Sequence, residues 1–238
     1  TQYVDPYIGS GGHGHVFVGA NVPYGLVQLG PSSIPQEWDW TSGYHISDST
    51  VIGFPHMHLS GTGIGDLHDI TMMPVVGEVT YARGVESDQN SGLWSYSDRS
   101  KEVVKPGYYA THLLRYDVDV ELTATKRVGF HKYTFNQKEN AAVVFDLQNG
   151  GCWDSPTKAY INKVDDKTIE GYRYSSGWAN DQRVFFVAEF SEPITSLDVI
   201  VDRGEAVADK GEGKIVYARA NVDAQKPVYV KVALSPTS

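Results

Sequence analysis

Hydrophobic and polar residues alternate with a period of two along much of the chain. The clearest case lies between residues 107 and 135, where Val118, Val120 and Leu122 alternate with acidic side chains. Such alternation is typical of an antiparallel strand that buries one face and leaves the other in water. The same pattern, or a short apolar run, predicts further strands over 72–81, 128–135, 141–147, 184–190, 197–201, 214–219 and 227–234.

No stretch of the sequence repeats apolar residues at i, i+3, i+4 and i+7, which is the spacing of an amphipathic helix. Turn-forming pairs separate the predicted strands: Asn149-Gly150, Asp165-Asp166 and Lys210-Gly211. Many strands with short connections and no crossover helices indicate an antiparallel sandwich or barrel rather than an α/β fold. We therefore predict an all-β fold in which residues 1–238 form one large antiparallel β-sandwich.

The first 70 residues differ from the rest of the chain in composition and in hydrophobic pattern. They contain six of the eight histidines, many of the glycines and the pair Trp38 and Trp40, with little alternation. We predict that this N-terminal third supplies long, structured loops to one edge of the sandwich, where sites on rigid scaffolds usually lie.

The charge balance excludes several partners. The 238 residues carry 20 basic and 29 acidic side chains, a formal net charge of −9, so nucleic acid and anionic membranes are poor partners. No apolar run approaches the roughly 20 residues of a membrane-spanning helix. The single cysteine, Cys152, excludes an internal disulfide and a cysteine-based zinc cluster within the chain. The abrupt ends suggest a fragment, and no secretion signal precedes Thr1, so the protein is cytoplasmic or has its signal segment outside this chain.

The segment GFPHMHLSGTGIGDLHD, residues 53–69, concentrates the candidate chemistry. It lacks the strand, the helix and the Gly-Lys-Ser/Thr signature of a phosphate-binding loop. A metal site is better motivated, because His56 and His58 would point to the same side of an extended segment. Three more ligand-type residues follow: Asp66, His68 and Asp69. Alternatively, the His-X-His pair forms hydrogen bonds to backbone carbonyls and fixes the shape of the loop.

The acidic residues of the sequence give little support to catalysis by a pair of carboxyl groups. A glycoside hydrolase needs two carboxyl groups on either side of the scissile bond. Asp66 and Asp69 are the only acids in the histidine-rich segment, and no Glu lies in a setting that predicts a raised pKa. The Gly-X-Ser-X-Gly signature of a serine nucleophile is absent as well.

Two tryptophans, Trp38 and Trp40, stand in the polar, glycine-flanked segment QEWDWTSGYH. An indole beside Asp and His suits a sugar, since the ring stacks on C–H faces while the polar groups bind hydroxyls. The alternative is that one of the two fills the edge of the sandwich. Trp178 in SSGWANDQ allows the same two interpretations.

Four stretches together resemble one known family. They are VDPYIGSGGHGHVFVGANVPYGLVQLGP, GYHISDSTVIGFPHMHLSGTGIGDLHDITMMP, KPGYYATHLLRYDVDVELTATKRVGFHKYTF and GYRYSSGWANDQRVFFVAEF. They are similar to the N-terminal half of glycoside hydrolase family 92, the α-mannosidases. The resemblance spans nearly the whole chain and is most specific in the patterns HxHLSGTG and ELTATxRxGxHxYTF. The chain departs from the commoner pattern at Pro55, Met57 and Leu67-His68, which leaves the preferred mannosidic linkage open.

The resemblance implies an N-terminal β-sandwich domain, of the supersandwich type, in a two-domain enzyme whose larger helical (α/α) barrel lies outside these residues. Family members are exo-acting, inverting and calcium-dependent. The catalytic acid, the catalytic base and most of the calcium-binding environment belong to the helical domain. The chain would therefore contain no catalytic residue and no metal ligand, would be inactive alone, and would pack on its own C-terminal domain.

The resemblance also implies a substrate and a location. The substrate would be a mannose-containing glycan, with α-1,2-linked mannose of N-glycans or mannan as the expected class. The protein would act outside the cytoplasm, as a periplasmic, secreted or surface-anchored lipoprotein enzyme.

Two groups of residues follow from the same resemblance. The residues expected to contact substrate on the leaving-group side are Gly14, His15, Trp38, Trp40, His56 and His58. The residues expected in loops at the interdomain face are Gly12, His13, Ser60, Gly61, Thr62, Gly63, Asp66 and Asp69. Two other hypotheses stay open, a self-sufficient sugar-binding module and a metal-dependent sandwich enzyme that uses His56, His58 and Asp66.

Overall fold

Strands dominate the computed structural model, which describes residues 3–238, so the first two residues of the predicted domain lie outside the described residues. The strands are β1 (Ala20–Asn21), β2 (Gln28–Leu29), β3 (Thr50–Val51), β4 (Thr71–Val76), β5 (Ser95–Tyr96), β6 (Val103–Lys105), β7 (Tyr108–Leu113), β8 (Val118–Ala124), β9 (Val128–Phe135), β10 (Ala141–Asp146), β11 (Ser155–Lys163), β12 (Thr168–Ser176), β13 (Gln182–Phe190), β14 (Ile194–Val201), β15 (Ala206–Ala208), β16 (Lys210–Gly213), β17 (Val216–Val222) and β18 (Val228–Ser235). Helix in this described part is limited to short 3-10 turns at Gly12–Gly14, Trp38–Trp40, Gln89–Ser91 and Arg99–Lys101. The predicted all-β class is confirmed.

Two antiparallel sheets form the sandwich. The larger sheet has nine strands in the order β16-β11-β12-β13-β18-β9-β8-β7-β6, and the smaller has five in the order β15-β14-β17-β10-β4. Two-stranded ribbons, β1 with β2 and β3 with β5, lie in the N-terminal third. Antiparallel neighbours with short links explain why the sequence needs no crossover helices.

The period of two in the sequence decides which side chains enter the core. In β8 the residues Val118, Val120 and Leu122 are buried, while the acidic residues between them face outward. β18 shows the same alternation, with Val228, Val230 and the following alternate residues inside. Burying an aliphatic side chain of this size stabilises the fold by roughly 1.5–3 kcal/mol, so these alternating rows hold the two sheets together.

β10 is buried along its whole length, as its continuous apolar run AAVVF indicates. It lies between β17 and β4 in the smaller sheet and packs against the larger one. The ring of Phe145 stacks on Phe186 with centroids 5.7 Å apart and lies 6.3 Å from Phe190. The core therefore sits between the centres of the two sheets.

The sequence pattern missed β11 and β12 and misplaced one turn. The alternation in β11 is interrupted by an irregularity between Pro156 and Lys158. The predicted turn at Lys210-Gly211 is wrong, because these residues pair with β11 as part of edge strand β16. Gly211 serves close packing instead, since a Cβ there would lie 2.6 Å from the Val201 side chain.

Other boundaries follow from turn chemistry. The predicted turn at Asp165-Asp166 is confirmed, because it joins β11 to β12. The strand predicted over 72–81 ends at Val76, since Gly77 follows with a φ of 75°, which takes the chain out of the sheet. Within the described residues, no helix combines the length and hydropathy needed to cross a membrane.

Candidate functional site

The histidine-rich segment, residues 53–69, folds back on itself. The N–H of His56 donates to the carbonyl of Asp69 at 3.0 Å, and the N–H of His68 donates to that of Met57 at 2.9 Å. His68 has a φ of 57°, which a non-glycine residue holds only where its surroundings stabilise that conformation. The contacts that provide this stabilisation are those of the buried histidines and aspartates of the segment.

His56 begins a chain of hydrogen bonds inside the sandwich. Its Nδ1–H donates to the carbonyl of Ile70 at 2.5 Å, so Nε2 of the neutral ring accepts, from Nε2–H of His131 at 2.8 Å. His131 in turn accepts at Nδ1 from the hydroxyl of Tyr133 at 2.7 Å. Burial lowers the pKa of His56 to about 4 and holds the pKa of His131 well below its usual value. Both rings are therefore neutral at neutral pH, as this order of donors and acceptors requires.

The pattern ELTATxRxGxHxYTF has a structural explanation in this chain of contacts. Gly129, His131 and Tyr133 occupy alternate positions of β9 and face inward. A Cβ at Gly129 would lie 2.6 Å from Cδ2 of His56, so only glycine leaves room for that ring. The two most specific sequence patterns thus meet in the core.

His58 makes a second buried set of contacts. Its Nδ1–H donates to the carbonyl of Gln28 at 2.8 Å, and its Nε2 lies 3.3 Å from Oγ of Ser32. The same Ser32 hydroxyl lies 3.4 Å from Nδ1 of His68. Burial lowers the pKa of His58 to about 4 and that of His68 well below its usual value. These neutral rings fasten the segment to the β2 region.

This placement corrects the expectation that His56 and His58 contact substrate. Their exposed fractions are 0% and 1%, and their ring nitrogens face backbone carbonyls and other buried side chains. Neither ring reaches the surface in this structure. The alternative interpretation, that the pair fixes the shape of the segment, matches the hydrogen bonds.

Arg173 of β12 is completely buried and ties the segment to the larger sheet. Its Nη1 lies 2.6 Å from Oδ1 of Asp69 and 2.7 Å from Oδ2 of Asp154, and its Nε donates to the carbonyl of Leu147 at 3.0 Å. The other oxygen of Asp69 accepts from the side-chain amide of Gln182 at 2.8 Å. A buried charge persists only when it is paired and hydrogen-bonded in this way. Burial raises the pKa of Asp154 to about 6.

Asp66 is engaged as well. Its two oxygens accept from the backbone N–H groups of Trp178 at 3.1 Å and Ala179 at 2.8 Å. Asp66 and Asp69 are both buried, so neither carboxylate faces a space where a glycosidic oxygen or an attacking water would sit. These two acids hold loops together.

A metal centre is not assembled from these side chains. Among residues 3–238, no group of three or more His, Cys, Asp or Glu side chains is arranged to hold a metal ion. The carboxylates nearest the histidines already bind Arg173, Gln182 and backbone N–H groups. Nδ1 of His56 and of His58 and both oxygens of Asp66 are already engaged in hydrogen bonds, so this structure offers the hypothesis of a metal enzyme built on these residues no assembled set of ligands.

A cluster of side chains with exposed His13 and Trp38 and a buried His15 lies on the neighbouring loops. Oδ1 of Asp39 is 2.7 Å from Nδ1 of His13 and 3.2 Å from Nε2 of His15. The ring of His15 meets the Trp38 indole edge-on with centroids 4.2 Å apart, and His13 lies 5.7 Å from the same indole. The hydrogen bond from His13 lowers the pKa of Asp39, and the same bond raises the pKa of His13. The side chains of His13, His15, Trp38 and Asp39 therefore hold one another in place at the surface.

The structure distinguishes the two neighbouring tryptophans. Trp38 is 54% exposed, and its Nε1–H donates to the carbonyl of Gly63 at 2.8 Å, which leaves the ring at the surface. The half-buried Trp40 stacks on His45 with centroids 4.3 Å apart and donates to Oδ2 of Asp48 at 2.7 Å. Trp38 is therefore the better candidate for a sugar platform, and Trp40 supports the loop beneath it.

The remaining predicted residues lie in two loops that touch each other. Gly12–Gly14 forms a single 3-10 turn. The N–H of Gly61 donates to the carbonyl of His15 at 2.6 Å, and Oγ of Ser60 accepts from the N–H of Phe17 at 3.1 Å. Exposed residues of the second loop are Ser60, Gly61 and Thr62. The structure thus brings Gly12–Gly14, His15, Trp38 and Gly63 together at one surface.

Sequence reasoning missed two residues of this region, Asp39 and Trp153. Asp39 had a visible signal, since it stands between the two tryptophans of QEWDWTSGYH. Trp153 follows Cys152 in a glycine-rich stretch that the pattern assigned only to a turn, yet its side chain is 49% exposed beside the other loops. An indole face flanked by an imidazole and a carboxylate can stack on a pyranose ring and bind its hydroxyls.

Comparison with protein families gives one match that covers almost the whole chain. Residues 3–235 match the family model described as the glycosyl hydrolase family 92 N-terminal domain. A curated relative, an uncharacterized secreted glycosidase of Arthroderma benhamiae, is 29% identical over 140 residues, which are 56% of this chain and 17% of that protein.

Solved structures agree in fold. The family GH92 alpha-mannosidase BT3965 from Bacteroides thetaiotaomicron, in complex with mannoimidazole, is 34% identical with a TM-score of 0.94 over 100% of this chain and 32% of its own. The family GH92 inverting mannosidase BT2199 from the same organism is 21% identical with a TM-score of 0.79 over 99% of this chain and 31% of its own. The chain thus spans about a third of the length of these structures, and the second likeness concerns the fold alone.

Proposed function

Because the chain belongs to glycosyl hydrolase family 92, as its N-terminal domain, we propose that it forms the leaving-group wall of the active site of an exo-acting, inverting α-mannosidase. The 34% identical relative is described as an α-mannosidase, which supports this extension to the protein that carries the chain. The expected substrate is a mannose-containing glycan, with α-1,2-linked mannose of N-glycans or mannan as the proposed class.

The observation that carries the proposal is the braced, exposed indole of Trp38. Its Nε1–H is fixed to the carbonyl of Gly63, and its ring packs against His15, which is hydrogen-bonded to Asp39. A ring that is fixed before binding loses little conformational freedom when a sugar stacks on it. Hydroxyl groups of the leaving sugar would find His13 and Asp39 at the rim of the indole.

The proposal includes a division of labour between two domains. The two carboxylates of the histidine-rich segment, Asp66 and Asp69, are already bound to backbone N–H groups, Arg173 and Gln182, and the Asp39 carboxylate beside Trp38 is bound to His13 and His15. As the resemblance to family 92 implies, the catalytic acid and base would come from a C-terminal helical domain, which would pack on the loops around Trp38. Calcium would be held mainly by that domain, where it would bind hydroxyls of the terminal mannose.

We also propose that the protein acts outside the cytoplasm. The support is the curated relative, which is described as secreted. Periplasmic, secreted and surface-lipoprotein locations are all compatible with this proposal.

The first experiment tests the division of labour. The 238-residue chain, incubated with calcium and α-1,2-mannobiose, should release no mannose. A longer protein that continues through the helical domain should release it. Mannose release by the chain alone would contradict the proposal.

The second experiment tests the role of Trp38 in the longer protein. Trp38→Ala should lower kcat/KM for α-1,2-mannobiose by about tenfold or more, because it removes the stacking surface for the leaving sugar. Tyr229→Ala, which removes an exposed aromatic ring from the outer face of β18, is the matched control and should leave kcat/KM unchanged. Equal values for Trp38→Ala and the unmodified protein would count against the proposed wall.

A self-sufficient sugar-binding module is the second candidate function. The observation in its favour is that Trp38 and its bracing residues are complete within this chain. Calorimetry with mannose and α-1,2-mannobiose separates the two, since half of a pocket should bind weakly at best while a module should saturate clearly.

A further inference from the structure

A cavity of about 450 Å³ opens on the outer face of the larger sheet. Three of the side chains that line it are aromatic and come from adjacent strands, Tyr160 of β11, Tyr172 of β12 and Phe185 of β13. These residues stand directly opposite one another in the sheet, and the next position in the same row is Ser235 of β18. We call Tyr160, Tyr172 and Phe185 the aromatic row.

The aromatic row departs from the usual pattern of a sheet face. In GYRYSS the tyrosines alternate with the buried Arg173, so Tyr172 lies on the outer face. In β13, Phe185 and Val187 lie on the same outer face, while their neighbours in sequence are buried. The outer face of an antiparallel sheet normally carries polar residues because water covers it. The row is therefore apolar surface that the sandwich by itself leaves uncovered.

The packing of the rings favours a polypeptide over a sugar as the occupant. Tyr172 stacks on Tyr160 with centroids 5.4 Å apart and on Tyr174 with centroids 4.7 Å apart. Nζ of Lys158 lies 5.7 Å from the centroid of the Tyr172 ring, and Phe185 meets that ring edge-on at 5.8 Å. A sugar needs a free ring face, and neighbouring side chains already take the faces of Tyr172. Apolar side chains of a polypeptide can still pack against the row.

Charged pairs flank the cavity on the same face of the sheet. Nζ of Lys158 lies 3.0 Å from Oε1 of Glu212, which stands opposite Tyr160. Nζ of Lys231 lies 2.9 Å from Oε2 of Glu189. An apolar centre inside a charged rim is the arrangement of a surface that another stretch of polypeptide covers.

The course of the chain after β18 indicates which polypeptide this is. Ser235 ends β18, and both Ser235 and Ser238 line the cavity. Residues that follow Ser238 in a longer protein therefore start at the wall of the cavity. The chain matches an N-terminal domain and spans about a third of the compared structures, which supports such a continuation. A segment attached at the rim has a high effective concentration over the row, so weak contacts are enough to hold it there.

We infer that the segment that follows Ser238 in the longer protein covers the aromatic row with apolar side chains. The link between the two domains is then held against the outer face of the larger sheet. The inference rests on the proposed function, which places a helical domain after this chain. A link held in this way fixes the direction in which the chain leaves the sandwich, and with it the position of the helical domain over the loops around Trp38.

Hydroxyl-radical footprinting, read by mass spectrometry, tests whether the row is covered. Tyr160, Tyr172 and Phe185 should be oxidised about threefold or more slowly in the longer protein than in the 238-residue chain, because a packed segment excludes water from them. Tyr229, which is exposed on β18 outside the cavity, is the control and should be oxidised equally in both. Equal rates for the aromatic row in both proteins would overturn the inference.

The same measurement detects the other occupants. Protection of the row that appears in the 238-residue chain as its concentration rises would indicate a second copy of the chain. Protection that appears when α-1,2-mannobiose is added would indicate a sugar. Either result would overturn the inference.

A photo-crosslink identifies the segment. The crosslinking amino acid p-benzoylphenylalanine is placed at Val187, which lines the cavity and is 46% exposed, or at Val207, the matched control, which is 50% exposed on β15. Position 187 should be joined to one of roughly the first 15 residues after Ser238, and position 207 to none of them. The row lies within about 14 Å of β18, at roughly 4.8 Å per strand, and ten residues span that distance even as a helix.

The mannosidase activity of the longer protein separates the outcomes. A longer protein that releases mannose from α-1,2-mannobiose, but in which position 187 forms no crosslink to that segment, would overturn the inference alone. A longer protein that releases no mannose, but in which the crosslink forms, would overturn the proposed function alone. Footprinting uses the unmodified proteins, so its result holds even where the replacement at position 187 disturbs β13.

Discussion

The pairs His13-Gly14-His15 and His56-Met57-His58 have the same spacing in the sequence, but the first has one exposed and one buried ring while both rings of the second are buried. His13 has 79% of its side chain exposed and meets Asp39 at the surface, whereas His56 is completely buried against Ile70 and His131. Asp39 raises the pKa of His13, while burial lowers the pKa of His56 to about 4. A His-X-His motif therefore has no fixed role. Its surroundings decide whether a histidine of the motif is exposed and changes its charge near neutral pH or stays neutral and stabilises the fold through buried hydrogen bonds.

The largest loss of stability is expected when the buried guanidinium of Arg173 is removed. Arg173→Met leaves Asp69 and Asp154 facing each other without a positive charge, so the free energy of unfolding should fall by about 3–5 kcal/mol. Arg183→Met is the matched control on the next strand, since Arg183 is exposed and its contacts with Asp181 and the Tyr174 ring lie at the surface. Urea denaturation should show a lower midpoint for the first variant and an unchanged midpoint for the second. Equal midpoints would mean that the ion pairs of Arg173 with Asp69 and Asp154 do not stabilise the fold.

The second largest effect on stability is expected from the contrast between His56 and His13. His56→Ala removes a buried ring together with its bonds to Ile70 and His131, so the free energy of unfolding should fall by about 2–4 kcal/mol. His13→Ala removes an exposed ring and should leave the denaturation midpoint unchanged. If the two variants unfold at the same urea concentration, the contrast between the pairs is not one of stability.

The buried region should also make stability depend on pH. The pKa values of His56 and His58 are lowered from 6.5 to about 4, so the unfolded chain binds more protons than the folded chain between these values. Their stabilising contribution, up to about 3 kcal/mol each, is complete above pH 6.5 and is lost as the pH falls toward 4. Urea denaturation in steps from pH 7 to pH 4 should show this loss.

Asp154 acts in the opposite direction and provides the control for that experiment. Burial raises its pKa from 3.8 to about 6, so its protonation favours the folded chain as the pH falls. In Asp154→Asn this opposing contribution is missing, and the loss of stability between pH 6.5 and 4 should be steeper than in the unmodified chain. A shallower loss in the variant would contradict the assigned direction.

The smallest effect is expected at the exposed pair. Asp39→Ala removes the acceptor that raises the pKa of His13, so that pKa should fall toward its ordinary value of 6.5. Titration of the imidazole ¹H resonances measures the shift, and the denaturation midpoint should not change. A His13 pKa that stays raised in the variant would place its cause elsewhere.

Local regularity was readable from the sequence. Alternation in VDVEL marks β8, and the run AAVVF marks a strand buried on both faces, because the pleat sends successive side chains to opposite sides. β12 escaped detection because its inner face carries Arg173, a charged residue at a position where the pattern expects an apolar one. No local signal announces that an aspartate 104 residues away will neutralise it.

The sequence by itself determined the all-β class, nine of the eighteen strands and the family, since these depend on period, on turn residues and on long motifs. The tertiary structure alone decided that His13 is exposed while His56 and His58 are buried, which tryptophan of QEWDWTSGYH faces water, and that the loops of Trp38, Trp153 and Trp178 meet around residues 63–66. The physical reason is distance along the chain. Burial and hydrogen bonding of these side chains depend on partners such as Asp66 and Trp178, 112 residues apart, which only the closed sandwich brings together.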